Sequence, residues 1–275
     1  MKMNKLKEIL KNIFLPRNLT CSCCGRESFT GGILCEKCLE KTEKNDGYIC
    51  EHCGVKTLLP EAYCDRCRNK LTSFDKARSV YLYGEVTAIL VQKLKYGGEK
   101  YLAEEFAKEI YKLFVSSVTH ADGIVCVPMN EKREKSRGYN QSKLIAEKVA
   151  ELSGAPFLDV TVKKKETESQ VGKTYKERRK NLDGSFGVQN KSLVRDKRIV
   201  IIDDVSTTGT TADVLAAALK NAGASEVFVL TYASVEKKID SLQDGDDKES
   251  PQKQGFEDNF QSDDKNDAIE AKTVV

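Results

Sequence analysis

Arg198-Ile-Val-Ile-Ile-Asp-Asp-Val-Ser-Thr-Thr-Gly-Thr-Thr-Ala212 is the stretch that decides the fold of this 275-residue chain. Ile199 to Ile202 is an unbroken β-branched run. A strand buried on both faces has this pattern, and such strands belong to parallel sheets. The run stops at two carboxylates, Asp203 and Asp204, and a small polar loop follows from Ser206 to Thr210. Ala212, Val214, Leu215, Ala218 and Leu219 then recur at helical spacing. The order is strand, acidic turn, hydroxyl-rich loop, helix. In open α/β sheets ligands bind beyond the carboxyl ends of the strands. A helix N-terminus offers free N–H groups and the positive end of the dipole, which suit a phosphate.

The residue types divide into roles. Gly209 lets the backbone turn tightly and approach a ligand closely. The hydroxyls of Ser206, Thr207, Thr208, Thr210 and Thr211 add hydrogen-bond donors without bulk. Asp203 and Asp204 would repel a phosphate, so they suit sugar hydroxyls or a magnesium ion. The stretch therefore describes a phosphorylated sugar, with its phosphate in the loop and its hydroxyls on the carboxylates. The plainer alternative is an ordinary strand-loop-helix corner capped by Thr or Ser. The whole arrangement resembles the phosphoribosyl pyrophosphate (PRPP) signature of type I phosphoribosyltransferases, which Asp203, Asp204 and Thr207 to Thr211 all fit.

Upstream, Ile124 to Val127 is a second buried-strand pattern ended by Pro128. Cys126 inside it reads as a packed apolar thiol. A basic loop follows, Asn130 to Gln141, carrying Lys132, Arg133, Lys135 and Arg137. Arginine contacts phosphate oxygens bidentately, so this loop suits a second phosphate group. Lys93 and Lys95 beside the Gly97-Gly98 turn line an anion site or simply end a solvated helix. Val80 to Tyr83 has the look of a strand, and helical periodicity runs over 86–94 and 102–114. Residues 163–180 are the most basic part of the chain and suit a lid or binding loop rather than a short connection, or else a plain solvated charge run. Ser185 to Val188 and Glu226 to Ala233 complete the strand candidates. Strands alternating with helices give an α/β, Rossmann-like parallel sheet over 71–235.

Nine of the ten cysteines lie between Cys21 and Cys67. Cys21, Cys24, Cys35 and Cys38 recur 29 positions later as Cys50, Cys53, Cys64 and Cys67. Two C-x2-C pairs make the four-thiolate ligand set of a structural zinc. Residues 19–70 thus form a small double zinc ribbon with two structural Zn2+ sites. Sequential and interleaved pairing of the cysteine pairs are both open. Cys23 is the extra cysteine, a non-ligand or a substitute for Cys21, because its counterpart is His52.

Residues 1–18 form an amphipathic helix, with Leu6, Ile9, Leu10, Ile13 and Phe14 on one stripe among lysines. They lack the apolar region of a signal peptide, and nothing approaches the ~20 apolar residues of a membrane span. A cytoplasmic location is expected, with a peripheral place at the inner membrane face as an option. Residues 236–275 carry six lysines against twelve acids, so this acidic tail holds −6 and the rest of the chain +9 of the net +3. The tail's composition is that of a disordered segment, and the basic body suits an anionic partner.

Beyond the PRPP signature, residues 8–235 resemble the ComF family, competence-associated proteins with a double zinc ribbon and an amidophosphoribosyltransferase-like domain. Lys93 to Gly98, Val127 to Gln141, and Gln170, Gly172, Arg178, Asn181, Leu182 and Phe186 match its other motifs. Asn130 departs from them, standing where many members have His. The resemblance implies that Ser206 and Thr207 to Thr211 hold the PRPP phosphate and that Asp203 and Asp204 are catalytic, on the ribose hydroxyls. It implies that Lys95, Arg133 and Arg137 meet pyrophosphate with Mg2+. Lys173, Arg178 and Arg179 would be a hood or a nucleic-acid contact. The implied activity is phosphoribosyl transfer from PRPP, a glycosyltransferase reaction, in DNA uptake. The alternative is a non-catalytic PRPP-sensing, single-stranded-DNA-binding or adaptor module docking on an uptake helicase or channel. No residue pattern names an acceptor.

Overall fold

The computed structural model describes residues 19–57, 60, 62–64, 67–68, 72–164, 182 and 184–235. The N-terminal helix expected over 1–18, the basic residues Lys173, Arg178 and Arg179, and the tail from 236 lie outside them. One compact unit holds every described residue.

Its centre is a four-stranded parallel sheet in the order β1-β6-β5-β2: β1 Lys76–Leu82, β6 Glu226–Ser234, β5 Arg198–Ser206 and β2 Gly123–Cys126. Ile199 to Ile202 are fully buried, and alternate residues serve opposite faces. Val200 and Ile202 join Leu230 and Tyr232 under α3 (Leu102–Ser117) and α5 (Gln141–Ser153). Ile199 and Ile201 join Val227 and Val229 under α6 (Thr210–Asn221). A two-stranded antiparallel flap, β3 Thr161–Lys163 with β4 Phe186–Val188, adds Phe186 to the second face. The parallel-sheet expectation holds, and the flap is an addition to it.

Two local expectations are corrected. The central strand does not stop at the acids: β5 continues to Ser206, because β6 pairs with it as far as Ser206 opposite Ser234. The segment after Asn130 is not a loop but a short helix, α4 (Glu131–Arg137). Asn130 caps it by accepting the Lys132 N–H at 2.9 Å, and Lys135 and Arg137 sit in its last turn, where the dipole favours cations. Gly138, at φ +82°, supplies the left-handed residue that ends it.

The ribbons are built alike. The pairing of Thr20 with Glu27 recurs as Ile49 with Lys56, and the Gly25 N–H to Cys21 carbonyl bond recurs as Gly54 to Cys50. A single helical turn, α1 (Glu36–Leu39), follows Cys35 in the first. Both ribbons pack on the sheet domain. Cys21, Leu34 and Cys38 belong to the same core cluster as Tyr81, Leu102 and Phe106. Residues 43–45, between the ribbons, run antiparallel along the outer edge of β1, with Asn45 N–H on Val80 and Leu82 N–H on Glu43. Among the described residues, no helix is long and apolar enough to cross a membrane.

Candidate functional site

β2 ends at Cys126 opposite Ile202, so β5 projects beyond it and Asp203 and Asp204 emerge at a step in the sheet. The chain leaves β2 at Val127, passes through α4, and returns at the start of α5. Asn140 caps α5 through the amides of Ser142 and Lys143, which points Gln141 and Ser142 at the step. Ser142 Oγ donates to Asp203 Oδ1 at 2.6 Å, and Gln141 Nε2 to Asp204 Oδ1 at 3.3 Å. From the other side, α2 (Glu85–Tyr96) brings Lys95, whose ammonium lies 2.6 Å from Asp204 Oδ2.

The electrostatics follow from burial. Loss of water and the neighbouring Asp204 charge push the Asp203 carboxyl up to about 8. Burial alone would lower the Lys95 ammonium, but Asp204 and Asp203 hold it above its usual value. Arg137 donates to Gln141 Oε1 and stacks over the Tyr96 ring at 4.9 Å. A polar chain therefore runs from Arg137 through Gln141 and Asp204 to Lys95. Arg133 lies exposed on α4, near enough to Lys163 of the flap to add its charge to the burial that lowers that lysine.

After Ser206 the chain turns through Thr207 to Gly209. Gly209 sits at φ +74° as the N-cap of α6, a left-handed conformation that costs a non-glycine residue about 1–2 kcal/mol. The Thr208 and Thr210 hydroxyls are 2.7 Å apart. Thr210 and Thr211 lie in the first helical turn, two residues earlier than the helical spacing predicts.

The structure thus brings Asp203, Asp204 and Lys95 together, places Ser206 to Thr211 directly after the acids, and links Arg137 in through Gln141. Lys95, expected on pyrophosphate, is paired with Asp204. In the sequence Gln141 closes the basic stretch and the family motif that contains it, and Ser142 belongs to no motif. Their signal was the polar triplet Asn140-Gln141-Ser142 opening a helix. Cys126 is the packed thiol expected, its proton held up to about 12 by burial.

The metal centres are sequential rather than interleaved. Cys21, Cys24, Cys35 and Cys38 form one group and Cys50, Cys53, Cys64 and Cys67 another, each with all sulfurs within 4.8 Å. Cys24 to Cys35 is 3.8 Å and Cys53 to Cys64 is 3.6 Å. A tetrahedral zinc with Zn–S near 2.3 Å spaces its sulfurs about 3.8 Å apart, so both groups fit structural Zn2+. Cys23 stands outside both groups and packs against the helical core.

A family model described as a phosphoribosyl transferase domain matches residues 135–270, and one described as a double zinc ribbon domain matches residues 10–71. Competence protein F of Haemophilus influenzae is 30% identical over 174 residues, covering 61% of this chain and 76% of that protein. DNA utilization protein YhgH of Escherichia coli O157:H7 is 27% identical over 219 residues, covering 76% and 87%. Competence protein ComFC of Bacillus subtilis is 28% identical over 203 residues, covering 69% and 79%.

Proposed function

The chain belongs to the ComF family, and on that premise we propose that it binds PRPP beyond the end of β5 and serves DNA uptake. The observation that carries the reading is the carboxylate pair on β5, followed by a glycine-hinged hydroxyl loop at a helix N-terminus. Thr207 to Thr211 would hold the 5-phosphate, and Asp203 and Asp204 the ribose hydroxyls. Lys95 would exchange Asp204 for pyrophosphate, with Arg133 and Arg137 beside it. Magnesium carried by PRPP would offset charge on the leaving group.

Phosphoribosyl transfer is the candidate chemistry. A nucleophilic atom of the acceptor forms a bond to C1 of the ribose as the C1–oxygen bond breaks. The electron pair departs with pyrophosphate, and the acceptor gives up a proton. The cations around the step would stabilise the growing charge on pyrophosphate, and the Asp204 carboxylate, released from Lys95, the charge on the ribose. Titration of PRPP into the wild type and Asp204→Asn, with and without Mg2+, tests the reading. The variant should bind at least about tenfold more weakly; equal binding would remove the reading.

The +9 charge on residues 1–235 favours an additional contact with single-stranded DNA. Phosphate contacts release counterions. Affinity for an oligonucleotide should therefore fall steeply between low and physiological salt, and a flat response would exclude this contact.

A further inference from the structure

The 29-residue repeat breaks at one knuckle position, and the break leads to the phosphate loop. Cys23 in the first ribbon becomes His52 in the second. His52 lies between two zinc-ribbon cysteines, stacks on Phe74 with ring centroids 5.2 Å apart, and is in hydrogen-bond contact with Thr72. Phe74 is 2% exposed and packs in the same cluster as Ala212, Leu215 and Ala216 of α6. Between Thr72 and Phe74, the Ser73 N–H donates at 2.6 Å to Oδ1 of Asp213, a carboxylate only 1% exposed. Asp213 in turn donates its own N–H to the carbonyl of Gly209, the left-handed hinge of the loop.

The knuckle is fastened to the sheet as well. The Ala77 N–H donates to the His52 carbonyl at 2.7 Å, and the Arg78 guanidinium donates to the Cys50 and Glu51 carbonyls. Gly54 lies so close to β1 that an added Cβ would meet the Ala77 oxygen at 2.5 Å.

We propose that Asp213 is a positioning residue for the phosphate loop and that the second zinc ribbon sets its position, through His52, Phe74 and Ser73. The glycine N-cap has no side chain with which to cap α6, and Asp213 supplies the fixed point instead. The zinc of this ribbon is thereby coupled to ligand binding at a loop it does not touch. An aspartate in the first turn also favours the helix dipole, but a dipole alone needs neither burial nor the Ser73 amide.

The affinity arm of the test rests on the PRPP reading; the exchange arm does not. The full-length, zinc-loaded protein would be compared with Asp213→Ala, Asp213→Asn, His52→Ala and Cys64→Ser. The measurements are zinc content, PRPP affinity by calorimetry, and amide hydrogen exchange over residues 207–212. Asp213→Ala should keep both zincs, lose about tenfold in PRPP affinity and exchange faster over 207–212. Asp213→Asn, which keeps an acceptor for Ser73, should stay within about threefold of the wild type. His52→Ala, which removes no sulfur, and Cys64→Ser, which removes one zinc, should both speed exchange over 207–212. Unchanged affinity and exchange in Asp213→Ala would overturn the proposal. If that variant does not fold, faster exchange confined to the ribbon in both His52→Ala and Cys64→Ser would overturn it. A wild type that does not bind PRPP would end the PRPP reading, leaving the exchange data to decide the coupling.

Discussion

Lys95 and Asp204 are an unequal pair. The aspartate side chain is 4% exposed and the lysine 24%, at 2.6 Å. Removing the lysine leaves a buried carboxylate without its cation, which costs more than the pair itself contributes. Lys95→Met should therefore destabilise the fold by about 2 kcal/mol in urea unfolding, less than a fully buried pair because Lys95 keeps contact with water. The double change Lys95→Met with Asp204→Asn should recover much of that loss; an equally unstable double variant would mean that packing of the lysine stem, not charge, dominates. Asp203 carries a pH dependence of its own. Its neighbours are Asp204 on the same strand, Lys95 from α2 and Ser142 from α5. The folded state raises its carboxyl from 3.8 to about 8, so the fold binds a proton that the unfolded chain releases. That contribution is full below pH 3.8 and is lost as pH rises through about 8. Stability measured from pH 5 to 9 should fall across this window, and Asp203→Asn should flatten that part of the curve. An unaltered slope in the variant would assign the titration elsewhere.

At the scale of elements, what was legible in the sequence was local and periodic. The β-branched run of β5, the helical stripe of α6 and the 29-residue cysteine spacing each announce themselves within one stretch of chain. Hence the sheet and both ribbons could be expected from residues alone. The ends of elements were less legible because partners set them. Ile199 to Ile202 already looks like a whole strand, and only pairing with β6 carries β5 on to Ser206. The helix α4 hid behind its charges, having no buried residue. Sequential pairing of the cysteines is a fact of chain path that spacing does not encode. The docking of ribbon on sheet runs largely through backbone groups, such as Asn45 N–H to Val80 and Ala77 N–H to His52, and these leave no mark in side-chain pattern. Asp213 did leave one: an acid flanked by Ala212, Val214 and Leu215 at the start of an apolar helix. It was hidden because acids are common in first helical turns.

For the whole molecule, the ribbons are part of the fold rather than an appendage to it. A four-thiolate ribbon depends on its metal more than on a core of its own. Here Cys21, Leu34 and Cys38 also complete the helical side of the sheet domain's core, and Phe74 and Cys53 line the opposite side. Residues 43–45 cover the outer edge of β1, which would otherwise present unpaired N–H and C=O groups to another chain. Removal of residues 1–70 would therefore uncover both apolar surface and a strand edge. A truncated chain beginning at residue 71 should melt about 10 °C lower than the full chain, corresponding to a loss of roughly 3 kcal/mol or more. It should also self-associate in size-exclusion chromatography at micromolar concentration. Full-length protein stripped of zinc should melt in one broadened, lowered transition instead of two separate ones, because the ribbon and the sheet share their core. A truncated chain that stayed monomeric with an unchanged melting temperature would show the sheet domain to be self-sufficient, and would leave the repeat of cysteines to be explained by what the ribbons bind.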